Sequence, residues 1–175
     1  MIERLFLDSV IKRLKEYKNL GEKTFAQLKD EEMHFQPNEE SNSIAIIIQH
    51  LYGNMLSRWT NFLSEDGEKE WRNRDDEFEV HHASRQQLID NWNEAWKVCL
   101  HTVESLTEND LSKTITIRLQ QLNVVDAINR QLAHYSYHVG QIVYLGRWIR
   151  KADWKTLTIP KNKSQEFNQQ MQSRH

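Results

Sequence analysis

Residues 123–151 read NVVDAINRQLAHYSYHVGQIVYLGRWIRK. Val124, Ile128, Gln131, Tyr135, His138, Ile142, Leu145 and Ile149 recur at steps of three and four, the period of one helix face. Asn123 can cap this helix and Asp126 suits its positive end, so the spacing predicts a long helix from Asn123 to about Lys151. The same stripe carries His134 and His138, and an imidazole in a core-facing stripe is costly to bury without a partner.

Working outward, the rest of the chain repeats the helical period. Ile2, Leu5, Phe6, Ser9, Val10, Leu14, Tyr17, Leu20 and Leu28 trace a first helix over 2–28, which Gly21 can kink. Pro37 and the Asn/Ser cluster after it break the pattern, and a second helix should start near Ser43 with the stretch IAIIIQHLYGNMLSRWTNFL. Ser84 with Gln87 makes a capping box for a third helix along Leu88, Trp92, Ala95, Trp96, Cys99, Val103 and Leu106. Between the second and third lie about twenty polar residues, 64–83, without a period, a length that suggests a functional loop. SKTITIRLQ alternates like a strand, with Ile115, Ile117 and Leu119 on one side, so a short extended segment or a small hairpin precedes the fourth helix. After Trp154 an extended connector leads to a short terminal helix that Ser164 can cap. With five Gly and two Pro in 175 residues, this pattern predicts an all-α fold: a four-helix bundle forming one domain over 1–175.

Composition narrows the function. The 23 basic and 25 acidic residues are interspersed, giving a formal charge of -2, so there is no basic surface for nucleic acid or an anionic membrane. No apolar run approaches the length of a membrane span, and the N-terminus lacks the apolar centre of a signal peptide. One cysteine, Cys99, excludes an internal disulfide and points to the cytoplasm. Its neighbours Trp92, Trp96 and Val103 make it a packed core thiol rather than a nucleophile.

At positions i and i+4, His134 and His138 share one helix face with Cβ atoms roughly 5–6 Å apart, which suits two imidazoles to one ion. The spacing alone leaves two readings, a ligand pair or hydrogen-bonded core histidines. His50, beside the apolar stripe of the second helix, supplies a third candidate ligand. Three protein ligands with an open position are the pattern of catalytic zinc, and Zn, Ni, Co and Fe all accept imidazole. Asn54, one turn after His50, and Gln141, three residues after His138, are placed to orient an imidazole or a water, or to satisfy buried polar groups. Arg58, Arg72 and Arg74 are candidates for binding a substrate carboxylate, unless they pair with Asp75, Asp76, Glu77 or Glu79. His34, His81, His82, His101 and the terminal His175 fall in turns, polar loop or polar face and are set aside.

HYSYHVGQI, together with His50 and the four-helix pattern, resembles the DinB/YfiT-like metalloenzyme family. NSIAIIIQHLYGNMLSRWTNFLSEDGEKEWRNRDDEFE and LTIPKNKSQEFN are similar to its bacterial branch described as a domain of unknown function. The resemblance implies an up-down-down-up bundle with a divalent metal on three histidines, matched here by His50, His134 and His138. It also implies a homodimer and transfer or isomerisation chemistry with a small thiol such as bacillithiol, mycothiol or glutathione. TIRLQQLNV departs from the pattern by lacking a glycine before the fourth helix. The leading expectation is therefore a metal-dependent S-transferase joining a low-molecular-weight thiol to a small electrophile. Its rivals are a hydrolase using metal-bound water, for which Glu77 or Glu79 would have to come from the loop, and a non-catalytic dimeric metal-binding or stress protein.

Overall fold

Ser43 accepts a hydrogen bond from the Ile46 amide and opens α2, Ile44–Trp59, the most deeply set helix in the computed structural model, which describes residues 1–173. Twelve of its sixteen residues are buried, so α2 is enclosed on more than one face and carries His50, Asn54, Ser57 and Arg58 inward along with its isoleucines. An apolar helix would gain more from such burial, so each of these four polar residues needs a partner.

Four long helices pack around one hydrophobic core. Helix α1, Ile2–Phe25, lies against α4, Val124–Arg150, while α2 lies against α3, Arg85–Ser105. Contacts of α1 with α3 and of α2 with α4 complete the arrangement. Trp92, Trp96, Tyr135, Phe25 and Trp59 fill the centre, each at most 2% exposed. The capping box at Ser84 and Gln87 and the Asn123 cap on the Asp126 amide form as the sequence suggests. No helix among the described residues is long and apolar enough to cross a membrane.

Several boundaries differ from the periodic reading. Helix α1 stops at Phe25 rather than residue 28 and runs straight through Gly21. The glycine serves packing instead: a Cβ there would lie 2.4 Å from the Trp92 ring. Ile2 and Leu5, at 75% and 65% exposure, lie outside the core because the first turn overhangs it. Helix α2 ends at Trp59, since Thr60 turns extended and Asn61 takes a positive φ. Lys163, not Ser164, stands at the cap position of α5, Ser164–Gln172, and no side chain caps it.

The strand-like stretch is a hairpin: β1, Thr114–Ile117, pairs antiparallel with β2, Gln120–Asn123, from Thr114↔Asn123 to Ile117↔Gln120. Ile115 and Ile117 are buried, whereas Leu119 is 91% exposed. Leu119 belongs to the two-residue turn, where Arg118 and Leu119 have φ of 54° and 63°. Two positive φ angles are what a type I′ turn requires and what asparagine or glycine normally supplies. Asp66 compensates by accepting hydrogen bonds from the Arg118 amide at 2.8 Å and the Leu119 amide at 2.9 Å. The missing glycine is thus answered by a carboxylate from the 64–83 loop.

That loop is anchored at both ends. The Gly67 amide donates to Thr116 O of β1, and farther on a 3₁₀ turn, Asp76–Phe78, lies along α2. The loop therefore bridges α2 and the hairpin, and Asn123, the last residue of β2, is also the N-cap of α4.

Candidate metal centre

His50 on α2 faces His134 and His138 on α4, so the geometry rests on how these two helices meet. One nitrogen from each of the three rings lies within 4.8 Å of the others. The His50 and His134 Nε2 atoms are 3.1 Å apart, and two ring nitrogens at that distance need a proton or a cation between them. A tetrahedral zinc with Zn–N bonds of about 2.0–2.1 Å sets its ligand nitrogens roughly 3.3 Å apart, so the His50–His134 pair already stands near that spacing and the full set, within 4.8 Å, would draw together around such an ion.

The outer nitrogens define which atoms are free. His50 Nδ1–H donates to Glu77 Oε2 at 2.9 Å, and His138 Nδ1–H donates to Gln141 Oε1 at 2.8 Å. Each bond directs the proton to Nδ1 and leaves the Nε2 lone pair for an ion, the carboxylate–histidine or amide–histidine arrangement common behind metal ligands. Gln141 Nε2 in turn donates to the Tyr137 hydroxyl at 3.1 Å. Burial first, then the neighbouring His138, His50, Arg72 and Arg58, lowers the His134 pKa to about 3. Burial and His50 lower that of His138 to about 4. Both rings are therefore neutral near pH 7, as metal ligation requires.

Glu77 is held from the far side. Arg72 Nε donates to Oε1 at 2.7 Å and Nη2 to Oε2 at 2.9 Å, a two-pronged grip on a carboxylate that is itself buried. Burial works to raise the Glu77 pKa, but the hydrogen bonds from His50 and Arg72 outweigh it and keep the group ionised. Gly53 makes room: a Cβ there would come within 2.2 Å of Glu77 Oε1. Phe78 lies over the His50 ring, with centroids 4.7 Å apart.

The other sequence candidates take varied places. Asn54 turns from the imidazoles and accepts from the Tyr135 hydroxyl at 3.2 Å, and that hydroxyl accepts from Trp59 Nε1 at 2.8 Å. The three side chains form a buried polar bridge between α2 and α4 beneath the histidines. Arg58 pairs with Glu68 at 3.0 Å and also donates to Gly67 O, so neither it nor Arg72 is free. Arg74, exposed, stacks over Phe78 at 5.4 Å. All three arginines border the recess that His50 and His134 also line. Glu79, the other loop acid considered as a base, is exposed. Among the remaining histidines, His34 contacts Ala83 O, His81 meets Asp76, and His82 and His101 are exposed. His175 lies outside the described residues. Cys99 is fully buried, which pushes its thiol pKa well up and makes it a poor nucleophile.

Sequence reasoning allowed an Arg72–Glu77 pair and a loop-borne Glu77 but missed that Glu77 fixes the His50 ring. Glu77 is one of four acids between residues 75 and 79 with nothing to single it out, and only Gly53, on an otherwise bulky helix, hinted that something approaches α2 there. No curated protein matches the chain. Residues 1–163 match the family described as a protein of unknown function, DUF1572, and the chain belongs to that family.

Proposed function

We propose that the chain is a DinB/YfiT-like four-helix bundle, up-down-down-up and one domain over 1–175, that binds a divalent metal through His50, His134 and His138. In this reading it is a cytoplasmic homodimer and a thiol S-transferase acting on small electrophiles. The observation that carries it is the orientation of the rings: His50 and His138 are each fixed through Nδ1, so that their Nε2 atoms are free beside His134.

A metal held there supplies positive charge at an open position, where a small thiol would ionise at neutral pH. Glu77 and Gln141 keep two rings in one tautomer, Arg72 keeps Glu77 charged, and Phe78 shields the His50 ring. A hydrolase would need a carboxylate free to take a proton from water. Glu77 is the buried carboxylate beside the histidines, and its two oxygens are engaged by Arg72 and His50. That favours thiol activation over hydrolysis.

Elemental analysis of untagged protein, wild type against His134→Ala, is the test. We expect about one metal ion per chain in the wild type and none in the variant. The metal-loaded protein should then accelerate conjugation of bacillithiol or glutathione to a model electrophile. No metal in either protein, with thermal stability unchanged by Zn(II), Ni(II), Co(II) or Fe(II), would leave hydrogen-bonded core histidines. Metal without thiol conjugation would refute the transferase.

A further inference from the structure

Beside the three histidines the recess continues as a pocket of about 210 Å³, and five arginines line it. They come from four elements: Arg58 from α2, Arg72 and Arg74 from the 64–83 loop, Arg118 from the hairpin turn and Arg130 from α4. Few carboxylates answer them. Glu68 alone serves Arg58, Arg118 and, at 3.7 Å, Arg72. Glu77 is shared between Arg72 and His50. Arg74 and Arg130 have no carboxylate partner among the described residues. Asp66 is a third carboxylate close by, held on the Arg118 and Leu119 amides. The pocket wall itself nevertheless carries five guanidinium groups and no carboxylate.

One buried donor on the pocket wall is also unmatched among the described residues: Arg72 Nη1 lacks a hydrogen-bond partner. Like charges gathered around one space destabilise a fold, and so does a buried donor without an acceptor. Core packing does not require any of this, because Arg74, Arg118 and Arg130 are exposed side chains that would otherwise point to water. An anion entering the pocket relieves both defects at once.

We infer that this pocket binds the tetrahedral, doubly charged oxyanion of a substrate, a phosphate or phosphonate group, and places the rest of that molecule at the histidines. The convergence of guanidinium groups from four elements favours a tetrahedral anion, whose oxygens point in several directions, over a flat carboxylate that one guanidinium fork satisfies. The size fits a compact head group rather than a whole cofactor. The inference rests on the metal-enzyme reading for what happens beside the pocket, but anion binding itself depends only on the arginines and is measurable without metal.

Inorganic phosphate is the probe, titrated calorimetrically into metal-free and metal-loaded protein, with acetate and malonate as carboxylate comparators. We expect phosphate to bind both forms, at least about tenfold more tightly than either carboxylate. Arg130→Ala and Arg74→Ala, both at exposed positions, should each weaken it about tenfold or more, as loss of a charged hydrogen bond does. Arg147→Ala, on the exposed side of α4 outside the pocket, should leave it unchanged. Malonate binding as tightly as phosphate would overturn the tetrahedral assignment. Phosphate binding that needs metal and ignores Arg130→Ala would place the anion on the ion and overturn the pocket, as would absent binding or an equal loss in Arg147→Ala. Phosphate binding that is lost in Arg130→Ala, in a protein that takes up none of the metals offered, would uphold the pocket while removing the metal reading.

Discussion

Glu77 touches both His50 and Arg72, and its removal should be felt through the metal rather than through packing alone. Glu77→Gln keeps the shape but lifts the charge that fixes the His50 tautomer. We expect about 10–100-fold weaker metal binding, measured by competition with a chelating dye, with the fold retained by circular dichroism. A second prediction concerns protons. Because the His134 and His138 pKa values lie near 3 and 4, below the ordinary 6.5, both rings of the metal-free protein should remain neutral at pH 5.5. Long-range proton–nitrogen NMR should show His138 protonated at Nδ1. The sign for stability follows: the unfolded chain takes up protons below about 6.5 that the native state refuses, so metal-free protein is fully stabilised above that pH and loses stability as the pH falls toward 4. A protein more stable at pH 5 than at pH 7 would contradict this. At this scale the histidines were legible because a period of 3.6 places i and i+4 together, and Gln141 was legible from the same spacing. Glu77 was not, because its approach depends on a long-range fold of an aperiodic loop.

Loop 64–83 and the hairpin act as one unit, joined where Asp66 accepts from the Arg118 and Leu119 amides. Asp66→Ala would leave two positive-φ residues unsupported and should cost about 1–3 kcal/mol by chemical denaturation. Leu119→Gly tolerates the turn without help, so the same Asp66→Ala change should cost less in that background. An undiminished cost would show that Asp66 acts elsewhere. The alternation of Ile115 and Ile117 made the hairpin readable, yet its register was not, because Leu119 continues the alternation while sitting in the turn. Helix starts were readable where Ser43, Ser84 and Asn123 cap them. The end of α2 was not: its apolar pattern runs on through Phe62, which is still buried although the helix has ended.

Across the whole molecule the histidines join α2 to α4 over 84 residues of sequence, so a shared ion would tie together the two ends of the core. Anything that binds only the native state stabilises it by mass action, about 2.7 kcal/mol at a free concentration 100 times the dissociation constant. Metal-loaded protein should therefore melt several degrees above chelator-treated protein, and His134→Ala should melt at one temperature with or without metal. Equal melting of the two wild-type forms would argue against ligation. The helical architecture was largely visible from periodicity, since four amphipathic stripes must bury one another. What escaped was the depth of α2, because which helix is enclosed on several faces depends on the packing of all four.

The same separation orders events during synthesis. As the chain leaves the ribosome, His50 and its loop emerge while His134 and His138 have yet to be made. No three-imidazole cradle exists until α4 has been delivered. Metal capture at these histidines would therefore be a post-translational step, open to whichever ion the cell supplies to the finished fold, rather than one settled while the nascent chain is still being extruded.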